Sequence, residues 1–109
     1  MIPIFKPSIS DKSKLYVSQA MEANDISQGP FIEKFETTFA QYCNKDFGVT
    51  CSNGTVALYM AIKALDLPIN SEVIVPSMTI ISCLTAIIEN GLKPIFCDID
   101  EFTYNIDFK

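Results

Sequence analysis

Histidine is missing from all 109 residues, so neither imidazole acid–base catalysis nor histidine metal ligation can arise within this chain. The cysteines, Cys43, Cys51, Cys83 and Cys97, form no CxxC pair and no zinc-like spacing. Each stands in apolar sequence, where a reduced cysteine behaves as a small buried hydrophobe, so no disulfide framework is expected. Two standard phosphate loops are absent as well: there is no GxxxxGK followed by Ser or Thr, and no GxGxxG after a strand. Nucleotide hydrolysis and a Rossmann dinucleotide site both lose support. Positive charge is thin and scattered, with 8 Lys and Arg against 13 Asp and Glu and a net charge of −5. Phosphate-backbone binding needs clustered cations, so nucleic acid is excluded as an expected partner. No apolar run reaches bilayer length. The opening MIPIFKPSISDKSK lacks the charged head and continuous apolar core of a signal peptide, so the expected compartment is the cytoplasm.

Apolar residues, in contrast, are plentiful. They make up 49% of the chain against 19% charged, and the mean hydropathy is +0.25. A domain this small buries a smaller share of its surface than a large one and can hardly hide that much apolar area. The chain is therefore expected to be part of a larger domain, or else to oligomerise heavily.

Two rhythms divide the sequence. Up to about Cys43 it reads as helical, with Ser10 capping a helix that begins at Asp11 and fades at Asn24-Asp25. Leu15, Ala20 and Met21 offer a loose apolar face. The break ISQGP follows, and Pro30 opens a second helix, where its missing N–H costs nothing. Ile32, Phe35, Phe39 and Tyr42 then form a helical stripe expected to pack. From Phe47 the pattern changes. FGVTC reads as a buried strand, and TVALYMAIKALDL reads as a helix with Leu58, Ala61, Ile62 and Leu65 inward. EVIVP is a second strand, TIISCLTAIIEN a helix closed by Gly91, and PIFCDID a third strand. Apolar strands alternating with helices indicate α/β architecture with a covered parallel sheet.

The loop Ser52-Asn53-Gly54-Thr55 joins the first of these strands to its helix. Ligands of open α/β sheets bind where strand ends meet helix N-termini, and free N–H groups there favour a phosphate. Gly54 permits close backbone approach and Thr55 adds a hydroxyl. The plainer reading is that Ser52 or Asn53 simply caps the helix. Asp98 and Asp100 stand at a strand end, where paired carboxylates are more often caps and turn formers than acid–base groups.

SNGTVALYMAIKALDL, then EVIVPSMTIISCLTAIIENGLKPIFCDID and TYNID, resemble the DegT/DnrJ/EryC1/StrS family of sugar aminotransferases. ISQGPFIEKFETTFAQYC fits the family's Gly-Pro, FE and FA-Y opening, so the resemblance covers nearly the whole chain. It implies the N-terminal part of the large domain of a fold-type I transferase dependent on pyridoxal 5′-phosphate (PLP), with a three-layer, mostly parallel sheet. Residues 1–45 would be a helical segment, and 46–109 an incomplete βαβαβ portion of the cofactor-binding domain. Gly54 and Thr55 match the segment that holds the cofactor phosphate. Ile80 occupies a position that usually holds an aromatic residue stacked on the pyridine ring; it can pack there without stacking. Asp98 and Asp100 match a D-x-D motif of structural character. Lys63 and Lys93 occupy no catalytic position of the family, and the Schiff-base lysine and the pyridine-pairing aspartate are expected beyond Lys109. The implied reaction is amination of a nucleotide-linked keto-sugar, with glutamate as donor, in a homodimer whose active sites lie at the subunit interface. The ISQGPF segment points to 4-amino-4,6-dideoxy sugars for polysaccharide or glycan synthesis. The alternatives are a sugar dehydratase of the same family, with histidine in place of the lysine, or a non-catalytic remnant serving as an interaction module.

Overall fold

A computed structural model describes residues 3, 5–25 and 27–108. Ile26, within the ISQGP break, lies outside the described residues. The elements run α1 (Asp11–Glu22), α2 (Pro30–Tyr42), α3 (Gly54–Lys63), β1 (Glu72–Pro76), α4 (Ile81–Glu89) and β2 (Lys93–Cys97). Contacts group them into two compact units, Met1–Thr50 and Cys51–Lys109. Among the described residues no helix is long and apolar enough to cross a membrane.

In the first unit the helix starts follow the sequence signals. The Ser10 hydroxyl accepts from the Ser13 N–H at 3.1 Å. Pro30 opens α2 behind Gly29, whose φ of +149° a residue with a side chain rarely adopts. Tyr16 of α1 meets Phe31 of α2 with ring centroids 5.7 Å apart. The aromatic stripe of α2 departs from expectation. Phe35, Phe39 and Tyr42 stack along the helix at 5.5 and 6.4 Å but stay exposed, Tyr42 at 84%. Leu15 and Met21 of α1 are exposed too, leaving only Ala20 of that face half-buried. Two helices make a single layer, and a single layer cannot cover the outer face of each.

The second unit is organised by its sheet. β1 and β2 pair in parallel, with Val75 opposite Phe96 and Ile74 opposite Ile95. Parallel neighbours cannot be joined by a tight turn, and α4 provides the crossover. Val75, Ile87 and Leu92 form the buried cluster, with Ile62, Val73, Cys83 and Leu84 packed against it. The end of α4 builds much of this core. Gly91 takes φ +72°, its N–H reaches the Ile88 carbonyl at 2.9 Å, and the Leu92 N–H reaches the Ile87 carbonyl at 3.2 Å. This is a Schellman closure, and its usual hydrophobic contact is the one between Leu92 and Ile87.

Three expectations need correction here. Among the described residues Phe47–Cys51 forms no strand, so two of the three anticipated strands are present and the unit is βαβ with a leading helix. A strand is defined by its hydrogen-bonded neighbour, and β1 and β2 pair only with each other; Phe47 is left 89% exposed. On α3 the packed residues are Thr55, Val56, Tyr59 and Ile62, while Leu58, Ala61 and Leu65 are exposed. The inward face is turned by one residue because α4 sets it. The cysteines are free, but Cys43 and Cys51 are exposed and Cys83 and Cys97 only half-buried.

The Gly91→Ala substitution meets no close atom, since the nearest to an added Cβ is a side-chain carbon of Ile69 at 3.8 Å. Its cost is then that of a left-handed φ alone, about 1–2 kcal/mol. Denaturant unfolding of the variant should show that loss. In the first unit, the carboxylate of half-buried Glu36 accepts from the Thr50 N–H at 2.7 Å and from the Thr50 hydroxyl at 2.8 Å. These bonds, the backbone one foremost, hold its pKa below the ordinary glutamate range. A depressed carboxyl stabilises the fold above its unfolded pKa and loses that contribution as pH falls through the lowered value. NMR titration should place the Glu36 carboxyl below ordinary glutamates, and Thr50→Val should move it part of the way back.

Candidate functional site: the helix start at Ser52–Thr55

Asn53 is extended, at φ −168° and ψ 173°, and is the N-cap of α3. Its Oδ1 accepts from the Val56 N–H at 3.1 Å, and its carbonyl accepts from the Ala57 N–H at 3.1 Å. The plainer reading of the loop is therefore realised by Asn53, while Ser52 only accepts a 3.3 Å bond from the Asn53 amide. Capping uses only the later donors of the first turn. The N–H groups of Gly54 and Thr55 have no partner among the described residues. Gly54 adds room, because a Cβ built there would meet nothing within 4 Å. An open approach to two unpaired donors at the positive end of a helix suits a phosphate.

Thr55 does more than face the loop. Its hydroxyl lies 2.8 Å from the Ser82 hydroxyl, and either can donate. Thr55 and Ser82 are the second residues of α3 and α4, so the bond sets the two helix starts side by side. Further along, the Asn90 amide donates to the carbonyls of Tyr59 and Ala86, at 3.1 and 2.8 Å. Neighbouring N-termini add their partial positive charges in the same place. Ile80 is the N-cap of α4, offers no side-chain cap and is 67% exposed, two residues from Ser82. The structure thus brings Gly54, Thr55 and the start of α4 together.

The other candidates have other partners. Asp100 accepts from the N–H groups of Thr103 and Phe102 at 2.8 and 3.1 Å. These bonds, Thr103 first, lower its pKa, and it works as a turn former. The Asp98 backbone carbonyl accepts from the Asp107 N–H, beside an antiparallel bridge between Ile99 and Ile106. Lys63 sits at the far end of α3, roughly 13 Å along the axis from Gly54. Lys93 opens β2 and is exposed. Neither lysine is hydrogen-bonded to the loop, whose unpaired donors are backbone N–H groups. Sequence reasoning missed Ser82 and the pairing of Glu36 with Thr50. Periodicity marks apolar faces and carries no signal for two hydroxyls meeting across helices.

The geometry defines an α/β unit with two unpaired N–H groups at an open helix start. The model of the DegT/DnrJ/EryC1/StrS aminotransferase family matches residues 7–109, and the chain belongs to that family. It is 42% identical over 106 residues to GDP-perosamine synthase of Escherichia coli O157:H7, covering 96% of this chain and 29% of the relative. Among solved structures, the aminotransferase from Psychrobacter cryohalolentis superposes with a TM-score of 0.80 at 33% identity, covering 89% of this chain and 25% of that one. E. coli GDP-4-keto-6-deoxy-D-mannose-3-dehydratase with bound hydrated PLP superposes at 0.87 with 26% identity, covering 96% and 28%. The chain thus spans less than a third of the length of these proteins.

Asn53 separates the two roles of the loop. Asn53→Ala should cost about 1 kcal/mol of stability through loss of the cap. Asn53→Asp keeps an acceptor for Val56 and should hold stability, while its added charge should weaken phosphate binding. Denaturant unfolding and phosphate titration, run on both variants, check the crossed pattern.

Proposed function

We propose that this chain contributes the cofactor-phosphate loop of a PLP-dependent aminotransferase acting on a nucleotide-linked keto-sugar. The observation that carries the reading is the pair of unpaired N–H groups at Gly54 and Thr55, in a chain matching a sugar aminotransferase family over residues 7–109. The site fits the group, because the open side of Gly54 admits a phosphate and the helix start favours its charge. Gly54 and Thr55 would hold the phosphate, and Ile80, exposed at the start of α4, would pack against the ring. PLP, when bound, supplies the electron sink for moving an amino group. The residues described here bind and orient; the Schiff-base lysine and the aspartate at the ring nitrogen would come from outside residues 1–109. In this reading residues 1–45 are a helical lead-in, and 46–109 belong to the PLP-binding large domain.

The substrate is a nucleotide-linked 4-keto-6-deoxy sugar, aminated at C4 for polysaccharide or glycan synthesis. The donor is glutamate, the assembly a homodimer and the compartment the cytoplasm. Similarity to a relative named for GDP-perosamine supports the nucleotide-sugar class. The dehydratase among the structural relatives shares this fold and makes the product the deciding measurement. Full-length protein supplied with PLP, glutamate and a GDP- or dTDP-linked 4-keto-6-deoxy sugar should release an amino sugar. A deoxygenated keto-sugar as the sole product would assign it to the dehydratases.

Gly54→Asp sets a carboxylate against the phosphate, and Thr55→Val removes the hydroxyl while keeping the shape. A hydrogen bond to a charged group contributes about 1.5–3 kcal/mol, so Thr55→Val should weaken PLP binding roughly ten- to a hundredfold. Gly54→Asp should weaken it further. Spectroscopic titration of full-length apoprotein gives both constants, and unchanged affinity in both variants would remove the loop as the phosphate site.

A further inference from the structure

We propose that Glu36 is a positioning residue for the phosphate loop: it clasps Thr50, from which the chain runs directly into Ser52–Thr55. The inference rests on the reading of Gly54 and Thr55 as the phosphate site. It starts from one carboxylate oxygen with two donors. Glu36 of α2 holds Thr50, its Oε1 accepting from both the N–H and the hydroxyl of Thr50, at 2.7 and 2.8 Å.

A second contact ties the same segment to the same residue of α2. A Cβ added at Gly48 would lie 2.6 Å from the Glu36 carbonyl oxygen, backbone against backbone, so only glycine allows the approach. Glu36 thus holds the segment by its main chain at Gly48 and by its side chain at Thr50. Its carboxylate is not committed to a lysine, since the ion pair found among the described residues is Lys14 with Asp11. Two bonds fix both the position and the rotation of Thr50, three residues before the cap of α3. Threonine serves because its hydroxyl adds the second donor.

The test uses the full-length protein and two readouts. One is amide hydrogen exchange at Thr50–Val56. The other is the ratio of affinities for PLP and for pyridoxal, which lacks the phosphate. Glu36→Ala should speed exchange at Thr50 at least tenfold and shrink the affinity ratio at least fivefold. Glu36→Gln should stay within about twofold of the parent in both, because its carbonyl oxygen can accept both bonds. Thr50→Val, which loses only the hydroxyl, should fall between them and remains informative if Glu36→Ala does not fold. A merely structural role would lower the melting temperature of Glu36→Ala and leave the ratio unchanged. Unchanged exchange in Glu36→Ala and Thr50→Val overturns the clasp. Faster exchange with an unchanged ratio overturns its part in cofactor binding, provided Gly54→Asp still lowers that ratio. A ratio unmoved by Gly54→Asp shows instead that the loop is not the phosphate site and overturns the inference with it.

Discussion

Parallel pairing of β1 with β2 is the constraint from which the second unit follows. Parallel neighbours must be joined by a chain that returns to the same end of the sheet, and here α4 makes the return. The helix has to stop and turn back sharply, which the left-handed Gly91 permits. The turn places Leu92 under Ile87 and beside Val75, and those residues are the core. The start of α4 is thereby fixed against α3, where Ser82 meets Thr55. The candidate site thus depends on a glycine at the opposite end of its helix.

Much of this could be read from residues. Ser10 and Pro30 mark helix starts by mechanisms local to a few residues, and both work as expected. Gly91 marks a helix end for the same kind of reason, and EVIVP and KPIFC carry enough β-branched and apolar character to be strands. The loop at Ser52–Thr55 was legible because glycine and small polar residues between a strand-like and a helix-like run have few other uses. What failed was long-range. FGVTC has strand composition, yet a strand exists only where a neighbour accepts its hydrogen bonds. The inward face of α3 was misjudged by one residue, since Leu58 and Tyr59 are equally suited to burial and only the position of α4 decides between them. Phe35, Phe39 and Tyr42 were correctly placed on one face, but periodicity cannot tell whether anything lies on that face.

The exposed apolar residues and the family match bear on each other. Ile69, Ile74, Ile81 and Phe96 are exposed on the second unit, and Phe35, Phe39 and Tyr42 on the first. Ile74 and Phe96 lie within the paired strands themselves, where covered sheets of this class place their helices. Relatives that this chain matches over less than a third of their length contain much further structure. The apolar excess noted in the composition and the uncovered strand residues are one fact seen at two levels. Both mark surface suited to packing within a larger fold.

A net charge of −5 is compatible with the proposed phosphate loop, because the loop's attraction is local. Among the described residues no lysine bonds to the loop, and the donors it presents are oriented N–H groups, which need no counter-charge and whose direction the helix fixes. Such donors count most where water is excluded, and an exposed helix start by itself gives them little advantage over solvent. Thr55 carries this logic one step further. When the Ser82 hydroxyl donates to Thr55, the Thr55 proton is free to point at a phosphate oxygen; when Thr55 donates to Ser82, it is not. An anion at Gly54 favours the first arrangement, because it offers the Thr55 proton a charged acceptor in place of a neutral one. In the proposed reading Ser82 would thus be electrically coupled to the phosphate, and the contact that joins α3 to α4 sets how many donors α3 can present.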